Sequence, residues 1–255
     1  MTTIHELLKE APKQSYTDDI KQYAKFLVSA HTNPFITTSA LPVAYTIEDG
    51  EIVILKDLIQ LNELTLVTQT ISDDNSKFLF PIKSCKSFIY TEPDYFKRLK
   101  TFENFPKTVN GSFTVEARGV TSFEHFPQRI IAGSGGIVVK IEAPDFTGIK
   151  TEISCSPSRT MFNLYKPKSL NGIEGLSFTN KTVLTMSMMN DFNGPLLNLF
   201  KVKGLKEVQF LHVQKFSPLE EAVRIVNKHL ALSDGSAYTC QEDLMENDLH
   251  DFADF

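Results

Sequence analysis

The 255-residue chain has no tryptophan, and no lysine or arginine occurs after Lys228. Its three cysteines, Cys85, Cys155 and Cys240, are widely spaced and contain no Cys-x-x-Cys pair. That excludes a disulfide framework and a zinc ribbon, and points to reduced thiols in a cytoplasmic protein. No apolar run approaches the ~18 residues of a spanning helix. The opening MTTIHELLKEAPKQ lacks the basic-then-apolar order of a signal peptide, so a soluble chain is expected. None of the six histidines stands two to four residues from another His or a Cys, and no metal site is expected. There is no Gly-x-Ser-x-Gly elbow and no cysteine-protease context.

The remaining chemical candidates have simpler readings. GSGG at Gly133–Gly136 runs into IVVKIE, a strand pattern, whereas a phosphate loop must run into a helix N-terminus. It reads as a turn. Asp73-Asp74 in DDNS has ordinary turn chemistry. His125, beside Glu124, reads as a surface turn, and His212 as a half-buried strand histidine. No nucleophile, base and orienting group can be named together, so neither an enzyme nor a cofactor is expected.

The charge is unevenly distributed. The net charge is −5, and seven of the 31 acids fall between His229 and Phe255, leaving 24 acids against all 26 bases in residues 1–228. The body is therefore slightly basic, and the acidity sits at one end. A net of +2 over the body also excludes duplex DNA binding by bulk charge alone.

Along the chain, Ile4, Leu7 and Leu8 fit one helix face, and a second helix after Asp18 carries Ile20, Tyr23, Ala24, Phe26, Leu27 and Val28. Asp49-Gly50 predicts a hairpin turn between two strands. LTLVTQTISDDNSKFLFPI repeats strand, turn and strand, and KSFIYT either adds another strand or begins a short helix at Phe88. EPDYFKRLKTF reads as a helix, NGSFTVEARGV as a strand behind an Asn-Gly turn, and TSFEHFPQRII as holding one helical turn. GPLLNLFKVKG reads as a helix closed by Gly204, and KEVQFLHVQKF as a strand. SPLEEAVRIVNKHLAL is the clearest helix, with Ser217 as cap, Pro218 in the first turn and Glu220 completing a capping box. No repeat at solenoid spacing is read. These elements predict an α+β fold of antiparallel sheets with flanking helices. The expected division is an N-terminal domain over 1–155, a smaller C-terminal α+β domain over 156–232 and a disordered acidic tail over 233–255.

Two stretches interleave cations with aromatics, as a single-strand binder requires. One holds Tyr95, Phe96, Lys97, Arg98, Lys100, Phe102 and Lys107, and the other Tyr165, Lys166 and Lys168. An amphipathic helix with a solvated basic face is the favoured reading of them.

The segment order resembles the SseB-like family, the enhanced serine sensitivity proteins. The resemblance is carried by YAKFLVSAHTNPF, SDDNSKFLFPIKSCKSF, TSFEHFPQRIIAGSGGIVVKIEAPDFTGIKTEIS and EVQFLHVQKFSPLEEAVRIVNKHLAL. It implies a non-enzymatic cytosolic protein and carries over no catalytic residue. Lys83 and Cys85 depart from the Phe-Thr frequent in that family. The last segment, QEDLMENDLHDFADF, separately resembles the acidic, Phe-ending tails of single-stranded DNA-binding proteins. Leu244, Met245, Leu249, Asp251, Phe252, Asp254 and Phe255 are the residues expected to engage a protein partner by folding on contact. The leading expectation is thus a protein-interaction or regulatory protein that uses this tail. The alternative is a single-stranded DNA-binding protein whose tail recruits partners.

Overall fold

The computed structural model describes residues 13–29, 44–61, 71–72, 77–93, 96–155, 160–165, 167–187, 192–232 and 236–254. The chain opens with helix α1 (Lys13–Ser29), whose Ile20, Tyr23, Ala24 and Leu27 are buried on one face. The helix expected around Ile4–Leu8 lies outside the described residues. Strands β1 (Tyr45–Glu48) and β2 (Glu51–Ile54) form the expected hairpin, with Asp49 at φ 53 and Gly50 at φ 80. Among the named strands it is the antiparallel exception, and Ile71 and Phe78 form a further, isolated antiparallel bridge.

From β2 onward the chain winds as a parallel β-solenoid. One sheet is built from β2, β4 (Ile82–Cys85), β6 (Thr108–Val109), β8 (Arg129–Gly133) and β10 (Thr151–Cys155). The other holds β3 (Leu58–Leu61), β5 (Ser87–Thr91), β7 (Phe113–Ala117), β9 (Ile137–Ile141) and β11 (Thr160–Leu164). The sheets meet at β12 (Leu176–Ser187), whose first part pairs with β10 and whose last part pairs with β11. Register runs Phe88, Phe113, Ile137, Thr160, Leu184, so each coil takes 23 to 25 residues.

This corrects the α+β expectation, the antiparallel sheets and the statement that no solenoid repeat is present. The short turns at Asn110–Ser112 and Ser134–Gly136 carry the turn residues a hairpin uses, but like the single-residue turn at Lys86 they round a corner instead of reversing the chain. Each strand therefore bonds to the strand one coil away, in parallel. The ladder also continues past Cys155, where a domain boundary was expected, because β10 pairs β12 and β11 pairs β9.

Inward residues alternate along every strand and form columns down the axis. Tyr90, Val115, Val139, Phe162 and Met186 make one column. A third side, formed by the turns back to the even-numbered strands, stacks Phe102, Phe123 and Phe146, with Phe105 and Phe126 beside them. Phe123 and Phe146 lie 5.4 Å apart with ring planes 7° from parallel. This side takes five of the chain's 20 Phe. Cys85, Cys155 and Cys240 are buried and free, so they act as small apolar core residues.

The C-terminal end is capped. Strand β13 (Lys203–Phe210) adds in parallel to β12, and helix α2 (Pro218–Ala231) packs on it. Ser217 Oγ accepts from Glu220 N, and Glu220 accepts from Phe216 N, which is the expected cap. Asn227 closes the sheet edge: its amide accepts from Val208 N at 2.8 Å and donates to Val208 O at 2.7 Å. An exposed parallel edge would otherwise invite another strand. The helix expected over GPLLNLFKVKG is a short 3-10 turn at Leu197–Lys201.

The acidic segment is folded, contrary to the disordered tail expected. Ser236 caps helix α3 (Ala237–Glu246), and a 3-10 turn at His250–Phe252 follows. Leu244, Leu249 and Phe252 are buried, with Leu244 at 0% exposure. Leu196 N donates to Phe252 O, and Gln241 Nε2 donates to Ala253 O. The apolar residues of the tail are thus core residues of a cap. Their partner is the solenoid's own end.

Candidate functional site

One corner of the solenoid gathers charged and aromatic side chains from four coils. It is the corner the chain rounds on leaving the odd-numbered strands. Backbone bonds stack the turns there: Glu92 N donates to Glu116 O, Glu142 N to Val120 O and Tyr165 N to Ile141 O. Gly119 lets two turns touch, since a Cβ there would lie 2.3 Å from Leu99 O. Any larger residue would push the Lys97–Leu99 segment away.

On this corner Lys97 Nζ donates to both Glu142 oxygens, at 2.7 and 2.8 Å. Arg98 lies over the Phe96 ring at 5.5 Å, and Arg118 over the Tyr165 ring at 4.1 Å. Arg118, Glu142, Pro144, Tyr165 and Lys168 line an open cleft of about 520 Å³. That is within the size range of small-ligand sites.

Beneath the corner is Glu92, a carboxylate at 5% exposure. Its Oε1 accepts from Tyr90 OH at 2.8 Å and from Leu99 N at 2.9 Å. Among the described residues its Oε2 has no partner, and burial pushes the carboxyl above its ordinary range. Glu92 pins the Lys97–Leu99 turn from inside.

The two basic–aromatic stretches picked out by sequence are therefore brought together in part. Phe96, Lys97, Arg98, Lys100, Tyr165 and Lys168 belong to two of the four turns of this corner, those after β5 and β11. Phe102 does not: it is fully buried in the aromatic column and offers no ring to a ligand. Lys107 sits beside the other sheet and pairs with Glu51 at 2.5 Å. The helix expected over EPDYFKRLKTF is not formed, and residues 96–100 are irregular. Tyr95 and Lys166 lie outside the described residues. Sequence reasoning missed Arg118 and Glu142. The signal that would have found them is the coil period, which places both just beyond strand ends.

The acidic cap is the second candidate surface. Asp243 Oδ2 accepts from His229 Nε2 at 2.8 Å and from Lys228 Nζ at 2.9 Å. These bonds hold the Asp243 carboxyl below its ordinary value. Thr239 Oγ1 lies 3.4 Å from His229 Nδ1, an arrangement of types seen in nucleophilic triads. Here, however, the Thr239 hydroxyl donates to Ser236 O, as part of the helix cap. Of the residues assigned to the tail, Met245 is half exposed, Asp251 and Asp254 face solvent, and Phe255 lies outside the described residues. His125 and His212 are exposed turn residues with positive φ, so His212 is not the half-buried strand residue expected.

Among the described residues no group of three His, Cys, Asp or Glu is placed to hold a metal, and no helix is long and apolar enough to cross a membrane. The chain matches no family model, no curated protein and no solved structure.

Proposed function

We propose that the protein acts without catalysis, as a rigid interaction scaffold whose acidic C-terminal cap is the partner-binding surface. The distribution of exposed apolar side chains carries this reading. Among the described residues five large hydrophobics are exposed, and four of them, Phe216, Leu232, Tyr238 and Met245, lie in the cap. Single exposed apolar residues are ordinary, whereas a concentration in one element marks a contact surface. Phe216 is 97% exposed and holds φ 61, a backbone conformation costly for an aromatic residue.

On α3, Tyr238, Glu242 and Met245 stand at i, i+4 and i+7, so they share the outward face opposite Cys240 and Leu244. Carboxylates of Glu242 and Glu246 flank the two apolar groups. This chemistry suits a protein partner with an apolar pocket and a basic rim. The helix is already formed, so docking avoids most of the ordering cost of a tail that folds on contact. The non-enzymatic class is also what the SseB-like resemblance implied, on a different body plan. A cytoplasmic setting belongs to the proposal and is supported by three free, buried thiols.

The test is in-cell photo-crosslinking of the full-length protein, with the reactive side chain at Tyr238, at Met245 or at Lys181 on β12. The expected result is a discrete set of protein adducts from both cap positions and none of them from Lys181. No adduct from the cap, or the same adducts from all three positions, would overturn the proposal.

A further inference from the structure

Where the chain leaves β5, residues 96–100 belong to no helix or strand, and the turn they make is supported from two sides. Toward the next coil its backbone rests on Gly119, where a Cβ would come within 2.3 Å of Leu99 O and 3.0 Å of Lys97 O. Inside, the Leu99 N–H donates to Glu92 Oε1 at 2.9 Å, and Tyr90 OH donates to the same oxygen at 2.8 Å. Oε2 is sealed from water and, among the described residues, bonded to nothing. Leu99, held inward by this bond, and Phe102 just beyond it are both at 0% exposure.

We infer that Glu92 is a proton-operated latch: protonated, it stays buried and holds the turn closed; ionised, it is drawn to water and the turn opens, uncovering Leu99. The two forms differ in what Oε2 loses on burial. An acid hydroxyl without a partner forfeits a hydrogen bond, whereas an unpaired carboxylate oxygen forfeits the hydration of a charge, which costs far more. Oε1 accepts from Tyr90 and Leu99 in either form, so a proton on Oε2 breaks no bond. The charged and titratable groups around the carboxyl come from the turn, from α1 and from the next coil. Lys100 acts on it from the turn, Arg98 and Tyr23 of α1 act on Tyr90, and Glu116 of the next coil is bound to Lys140 at 2.7 Å. Burial outweighs Lys100 and the hydrogen-bond donors, and raises the carboxyl above its ordinary 4.5. The closed turn therefore keeps a proton that the open turn releases. Closure is complete below 4.5, weakens as pH rises toward the raised value, and levels off above it.

The experiment is amide hydrogen exchange of the full-length protein from about pH 4 to about pH 8, read as protection factors so that the intrinsic pH dependence of exchange is removed. The Leu99 amide should lose protection by up to about tenfold per pH unit above 4.5 and then level off, while Val115 in β7 and Val139 in β9 keep theirs. Glu92→Gln keeps an acceptor for both donors and cannot ionise. Its Leu99 protection should not fall with pH, and at about pH 7 it should exceed the wild type's by about tenfold or more. Tyr90→Phe removes a donor that favours the ionised form, so its Leu99 profile should level off at a higher pH than the wild type's. Circular dichroism establishes that each variant is folded, and either variant alone suffices for the test. A flat Leu99 profile in the wild type, the same slope in Glu92→Gln, levelling at a lower pH in Tyr90→Phe, or an equal fall at Val115 and Val139 would each overturn the assignment.

Discussion

Phe123→Ala should be among the most damaging single substitutions in the chain. The ring has 0% exposure and meets four others: Phe102 at 6.4 Å, Phe126 at 5.4 Å, Phe146 at 5.4 Å and Phe162 at 6.0 Å. Removing it leaves a cavity between successive coils that the parallel ladders on both sides cannot close. Truncating a buried Phe costs about 3–5 kcal/mol. A urea m-value of about 3 kcal/mol/M converts that to a midpoint about 1–1.7 M lower. Because each coil rests only on its neighbours, the transition should also broaden as the two halves lose their coupling. Phe123→Leu, which keeps most of the volume, should cost less than about 1.5 kcal/mol. Glu124→Ala, on the exposed next residue, should stay within about 0.5 kcal/mol. Far-UV circular dichroism and tyrosine fluorescence follow the unfolding, since the chain has no tryptophan. A loss below about 1 kcal/mol for Phe123→Ala would refute the aromatic column as the core of the third side.

Other consequences follow from the cap. Asn227→Leu orphans Val208 N–H and C=O, so it should cost about 2–4 kcal/mol and promote edge-to-edge association, read by thermal melts and light scattering. Leu244→Ala should cost about 2–5 kcal/mol locally. Amide exchange should then quicken over residues 237–254 while β7, β9 and β11 keep their protection, and uniform quickening would contradict an independent cap. The Asp243 carboxyl is held low by His229 and then by Lys228, so its stabilisation is present above the usual carboxylate value. That contribution is lost as pH falls through the lowered folded-state value, so protease resistance of residues 237–254 should drop below about pH 4. Asp243→Asn should flatten that acid limb.

The parts legible in the sequence are those fixed by local chemistry. Asp49-Gly50 had to accept positive φ twice, and Ser217, Pro218 and Glu220 spell a helix start whatever lies nearby. The solenoid was not legible because its decisive contacts lie 23 to 25 residues apart and are made by residues of mixed identity. Phe88, Phe113, Ile137, Thr160 and Leu184 occupy one inward column and share no motif. A weaker sign was present in the third side. Phe102-x-x-Phe105-Pro106 recurs as Phe123-x-x-Phe126-Pro127, and degenerates to Phe146-x-x-Ile149 and Leu170-x-x-Ile173. The strand β3 at Leu58–Leu61 fell where no strand was expected, since four residues carry little periodicity. The tail was misread for a related reason. Its acids are visible in sequence, but the surface that buries Leu244, Leu249 and Phe252 comes from α2 and the Leu197–Lys201 turn. Of the candidate site, the cations were visible and their convergence was not.

Cysteine pairs on the outer face test the solenoid most directly. Thr114 and Val138 are register partners on adjacent strands, and Met161 is the next partner of Val138. Adjacent strands lie ~4.8 Å apart, inside the Cα range of a disulfide, whereas two strands lie ~9.6 Å apart and outside it. The three native cysteines are buried and do not compete. Mild oxidation should therefore link Thr114→Cys to Val138→Cys rapidly and within one chain, and leave the Thr114→Cys/Met161→Cys pair reduced. No link in the first pair, or equal linking in both, would contradict the parallel coil-on-coil stacking.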